Sequence, residues 1–140
     1  MSLGEVISPL LGRAFLAWFF LSDAYVRILD WDGTVTLLAL AGVPAPPLML
    51  FVAIATMVLG SLSLLLGFRT QLGALALFAF TLIATVFFHA YWELDDPQVR
   101  AAAYEIFARN VAVAGGLLIL IGMGPGKFAF DNLDAKGERR

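Results

Sequence analysis

Four apolar stretches, each about 20 residues long, take up most of this 140-residue chain, and that is the length an α-helix needs to cross the hydrocarbon core of a bilayer. They run from Pro9 to Leu29, Pro47 to Phe68, Leu72 to Trp92 and Tyr104 to Met123. The prediction is an all-α, integral membrane four-helix bundle forming a single transmembrane domain over residues 1–140, with a tail at 124–140. Composition agrees: 61% of residues are hydrophobic and 14% charged, more apolar surface than a soluble core of this size can hide. The first stretch is too long for a signal peptide, carries Asp23 and Arg27 near its end and lacks a small-residue cleavage site at the right distance, so it reads as a retained helix.

With no cysteine, the chain cannot form a disulfide or ligate an iron–sulfur cluster, so any redox role needs a bound cofactor or a partner. A net charge of −2 without a basic, aromatic-interleaved patch gives no basis for nucleic-acid binding. Four spans put both termini on one side. That side carries Arg13, Arg69, Lys127, Lys136, Arg139 and Arg140, against Arg27, Arg100 and Arg109 opposite, so the positive-inside rule predicts cytoplasmic termini. Tyr25, Trp31, Tyr91, Trp92 and Tyr104 would form an outer aromatic belt, and Trp18, deeper, is expected to pack. Val35 to Leu40 predict a short interfacial helix in the first outer loop, ended by Gly42 and three prolines. At the start of the third span Thr70 is expected to cap the helix and Arg69 to snorkel.

Ionisable groups within a span cost about 2.5–3.5 kcal/mol each at mid-membrane. Asp23 and Arg27 stand four apart on the first helix, and Glu105 and Arg109 repeat that spacing on the fourth, so each pair is expected to neutralise itself, with Asn110 one step round. Thr81, Thr85, His89 and Glu93 recur every four residues on the third. The second helix offers Thr56, Gly60, Ser63 and Gly67, a small-residue packing seam, and Gly115 and Gly116 do the same for the fourth. The expected site is therefore a polar cluster of Asp23, Arg27, His89, Glu93, Glu105, Arg109 and Asn110 in the outer half of the bundle. Two readings stand side by side: a set of staples near the headgroups, or a site for the polar head of a quinone or a lipid, with His89 as donor or proton carrier and the arginines orienting a carbonyl or anion. One histidine with scattered carboxylates does not make a metal site, and no serine is spaced to act as a nucleophile with His89.

The run Gly67-Phe-Arg-Thr-Gln-Leu-Gly-Ala74, then Ala84-Thr-Val-Phe-Phe-His89 with Trp92, then Asn110-Val-Ala-Val-Ala-Gly-Gly-Leu-Leu118, then Gly124-Pro-Gly126 with Phe128 and Asp131 resembles the DoxX family of small four-helix bacterial membrane proteins. Arg27 stands where the family usually has a lysine, and Thr56 or Met57 where many members carry a glutamate. The resemblance implies three roles. The first is an accessory, quinone-site subunit of a membrane oxidoreductase or energy-converting complex, not catalytic on its own, with no covalent cofactor but with a bound quinone, membrane lipids and other membrane-protein subunits as partners. A structural or assembly subunit is the second, and a small transporter or lipid-binding protein the third.

Overall fold

The computed structural model describes residues 3–132. Its order is α1 (Leu3–Leu29), α2 (Trp31–Leu40), α3 (Pro46–Leu66), α4 (Thr70–Phe88), a 3₁₀ turn (Tyr91–Glu93) and α5 (Pro97–Met123). Four of these, counting α4 with the turn, are long and apolar enough to span a membrane. At 27 residues, α1 and α5 are each roughly 40 Å long and outrun the hydrocarbon core. α1 therefore begins before Pro9, and α5 begins before Tyr104: Asp96 accepts from the Gln98 and Val99 amides, and Pro97 at the first position has no N–H to leave unpaired.

Each spanning helix buries one narrow stripe. On α1 it is Arg13, Ala17, Phe20 and Ala24; on α3, Leu50, Ile54, Met57, Gly60, Ser61 and Leu64; on α4, Thr70, Ala74, Leu77, Thr81 and Thr85; on α5, Asn110, Ala114, Leu117 and Leu120. These steps of three and four are the helical period, and the remaining apolar faces stay exposed because lipid, not protein, solvates them. Trp18 belongs to that second class: at 70% exposure it faces outward and does not pack, since its position lies opposite the buried stripe of α1. Helices pack in the order α1, α3, α4, α5, and the seam that returns from α5 to α1 is the sparsest. The expected short helix is present as α2, leaning on α3 and α1.

Small residues set the α3–α4 distance. A Cβ on Gly60 would lie 2.6 Å from Leu77 Cγ, and one on Gly73 would overlap the Ser63 side chain. Gly116 faces Leu16 across the α1–α5 seam, whereas Gly115 has open space beside it and contributes no close approach within the chain.

Candidate functional site

The expected polar cluster, at the end of the bundle away from the termini, assembles in part. On α1, Arg27 Nε donates to Asp23 Oδ2 at 2.9 Å, and both side chains are half-buried. On α5, the buried Asn110 donates through Nδ2 to Thr85 Oγ1 of α4 at 3.0 Å, a side-chain hydrogen bond joining two spans. His89 terminates α4, giving its N–H to the Thr85 carbonyl, and its half-buried imidazole lies within the electrostatic reach of Arg109, Arg27 and Asp23. Asp23, Arg27, His89 and Arg109 are thus drawn from three helices to one end of the α1–α5 seam, while Asn110 is engaged between α4 and α5.

The two remaining expected members, Glu105 and Glu93, stay outside it. Arg109 makes no ion pair with Glu105; both are exposed, and the guanidinium instead rests 5.4 Å from the centre of the Phe19 ring on α1. The cation is therefore held across the seam, not along its own helix. Glu93 also falls off the stripe, because α4 stops at Phe88 and the next residues turn so that Tyr91 packs edge-on against Trp92, Tyr104 and Phe107. Ring packing replaces the last helical turn and leaves Glu93 exposed.

A second polar site, at the terminal end of the bundle, was not expected. Arg13 is only 3% exposed. Its Nη1 donates to the carbonyls of Pro125 at 2.7 Å and Phe128 at 2.9 Å, and Nη2 reaches Leu65 O at 3.4 Å. The segment after α5 folds back over the α3–α4 turn, where Asp131 N–H donates to Gly67 O at 2.9 Å. Asp131 then accepts from the amides of Arg69 at 2.6 Å and Thr70 at 2.9 Å. So α4 is capped by a carboxylate 61 residues away in sequence, not by Thr70, which is buried in the first turn; its hydroxyl lies beside that carboxylate without a hydrogen bond of good geometry. Arg69, at φ +47, holds the left-handed conformation that starts the helix. The sequence signal that marks this site is Arg13 itself, in phase with Ala17, Phe20 and Ala24 on the buried stripe.

Burial pushes the Asp131 carboxyl up, but the Thr70 and Arg69 amides and the charge of Arg13 outweigh it and hold the group below its ordinary 3.8. A carboxyl whose folded-state pKa is depressed stabilises the fold above its unfolded pKa and loses that contribution as pH falls through the folded value. Asp131→Asn is expected to cost about 1 kcal/mol at pH 7, the usual worth of a helix cap, and to weaken the loss of stability on acidification below about pH 4. Unfolding midpoints of both proteins across pH 2–7 check this; parallel curves would rule it out.

Comparison with known proteins agrees with this architecture. The DoxX family model matches residues 8–90. The Escherichia coli inner membrane protein YphA is 30% identical over 122 residues, covering 87% of this chain and 86% of that protein. Inner membrane protein YqjF of the same organism is 29% identical over 129 residues, covering 92% and 93%. A Surfeit locus protein 4 homolog of Drosophila melanogaster is 34% identical over 68 residues, 47% of this chain and 25% of that protein. No solved structure matches. With four spans in one bundle, a family match over more than half its length and relatives aligned along nearly all of it, the chain is a membrane protein of the DoxX family.

Proposed function

We propose that this chain is an accessory subunit of a bacterial membrane oxidoreductase or energy-converting complex, and that its outer cluster holds the polar head of a quinone. The observation that carries this reading is the gathering of Arg27, His89 and Arg109 with Asp23 from three helices at the end of the sparsest seam, with Asn110 buried against α4 one residue along α5. The donor set suits a carbonyl: the Arg109 guanidinium has no carboxylate partner among the described residues, and the half-buried imidazole of His89 offers a ring N–H. The isoprenoid tail would run along the exposed apolar faces of α1 and α5. Bound there, the quinone supplies the electron chemistry, and the chain positions its head. The oxidoreductase context comes from the family resemblance.

A second reading, a non-catalytic assembly subunit, is favoured by the shape of the surface. Neither of the two depressions described on the molecule lies at the outer cluster; one is an open groove along the exposed face of α1, lined by Leu3, Gly4, Ile7, Leu11 and Phe15, a face suited to another helix.

Quinone occupancy separates the two. In protein extracted gently from its own membrane, His89→Ala and Arg109→Ala are each expected to lower bound quinone on the order of tenfold, the worth of one charge-assisted hydrogen bond, while the bundle stays folded. Parent-like occupancy in both variants would sink the quinone reading. Loss of a stoichiometric partner after substitutions on the α1 face, with bound small molecules unchanged, would establish the assembly reading instead.

A further inference from the structure

The face of α5 that points away from the bundle repeats every seven residues. Written as a heptad, its a positions are Ala101, Ala108, Gly115 and Gly122, and its d positions are Tyr104, Val111 and Leu118. All three d residues are exposed, and a Cβ on Gly115 or Gly122 would meet nothing within 4 Å. The buried stripe that holds α5 in its own bundle lies on the opposite side of the helix. Small residues in one layer and larger ones in the next, sustained over about 32 Å, have the shape of a helix–helix seam. Among the described residues, nothing fills the notches at Gly115 and Gly122.

Charge says what covers this face. Arg100 stands at the g position and Glu105 at the e position of the following heptad, both exposed. Neither has an oppositely charged side chain within 4 Å among the described residues, and Arg100 engages only its Nε, donating to Leu94 O at 2.7 Å. Five residues apart, the two stand about 140° from each other around α5 and cannot meet on their own helix. The same separation, g of one strand to e of the next heptad on the other, is where flanking charges meet across a parallel pair of helices. A second copy, related by a twofold axis along the membrane normal, makes that pair twice, Arg100 of each copy to Glu105 of the other. The complement to this face is therefore the face itself, in the orientation that two copies share in one membrane. Glu105 also lies within a span, where an ionisable group calls for a partner.

We infer that the lipid-facing side of α5 is a homodimer interface, in which two copies approach through the small residues of the a layer and are held in register by two Arg100–Glu105 ion pairs. The interface is independent of the quinone reading, because Arg109 leans the other way, onto Phe19 of α1. It also leaves the groove on α1 free for a different partner.

The chain has no cysteine, so a single introduced one can form a disulfide only with another molecule. In full-length protein oxidised within its own membrane, Ala108→Cys is expected to link most of the chain into a dimer. Ile83→Cys, on the exposed face of α4, is expected to give only background. An Ala108→Cys protein that stays monomeric would overturn the inference, as would equal linking through Ile83→Cys. Linking to a chain of different mass would overturn it too, by giving the face to another subunit. Two further variants are made on the Ala108→Cys background and diluted into phosphatidylcholine vesicles. Gly115→Leu places its side chain in space that is open within its own chain, so the monomer is expected to keep its unfolding midpoint while the dimer fraction falls on the order of tenfold. Glu105→Arg sets like charges opposite each other and is expected to lower the dimer fraction on the order of fivefold. Adding Arg100→Glu to it reverses both signs and is expected to restore the dimer to within about twofold of the parent. An undiminished dimer in either single variant, or a double variant no better than Glu105→Arg alone, would overturn the interface as drawn.

Discussion

Arg13→Ala is expected to destabilise the folded chain by about 3–4 kcal/mol and to release the segment after α5, the largest effect of any single polar substitution here. The guanidinium is 3% exposed and spans three carbonyls, those of Leu65, Pro125 and Phe128, with two bonds shorter than 3.0 Å. Hydrogen bonds to a charged group contribute about 1.5–3 kcal/mol each, and removing the donor also leaves buried acceptors unsatisfied. Against this stands the cost of burying the cation, part of which is regained in the variant, so the bonds do not simply add. Two further substitutions separate the terms. Arg13→Lys keeps the charge but replaces a planar fork with a point, which cannot bridge Pro125 and Phe128, and is expected to recover less than half of the loss. Arg13→Met fills the volume without charge; a near-neutral effect there would mean that desolvation cancels the hydrogen bonds. The readouts are the unfolding midpoint in mixed micelles and the rate of proteolysis after Gly124. An Arg13→Ala protein with parent-like values in both would show that the strap does not depend on this residue.

The contrast between the two polar sites explains what the sequence makes legible. Spans are readable because apolar length is a local property, and the helix faces follow from steps of three and four, as with Leu50, Ile54, Met57 and Leu64. The Asp23–Arg27 bond was readable for the same reason: both partners sit on one helix, four apart. Identical spacing misleads for Glu105 and Arg109, because Phe19 on another helix offers the cation a competing surface. The third span was read through to Trp92 since nothing in its composition breaks it; the break at His89 comes from Tyr91 packing on Tyr104 and Phe107, contacts made by a different element. The terminal clasp is the limiting case. Arg13 meets its acceptors 112 and 115 residues away, and Asp131 caps a helix 61 residues back, so neither shows as a local pattern. Lys136, Arg139 and Arg140, weighed in the orientation argument, lie outside the described residues.

Gly67→Ala is expected to cost about 2–5 kcal/mol, well beyond the usual cost of alanine at a helix terminus. Gly67 ends α3 at φ +68, with its N–H returned to Ser63 O, and the left-handed conformation alone penalises a side chain by about 1–2 kcal/mol. The remainder is steric. A Cβ there would stand 2.6 Å from Ala129 Cβ, 2.7 Å from Ala129 Cα and 3.1 Å from Arg13 Nη1, so it meets backbone and a buried cation, neither free to swing away. The strap must lift, and with it the Asp131 carboxylate that caps α4. Two other glycines isolate the terms. Gly42, at φ +75 with nothing within 4 Å of a built Cβ, carries only the conformational cost, so Gly42→Ala should lose about 1 kcal/mol. Gly12, inside α1 and also open, should gain roughly 0.5–1 kcal/mol on Gly12→Ala through helix propensity. Measured side by side in one micelle system, the three form a ladder whose top step is the strap contact. Equal losses for Gly67→Ala and Gly42→Ala would mean that the segment from Gly124 to Asn132 does not press on the α3–α4 turn in solution, and the capping of α4 by Asp131 would fall with it.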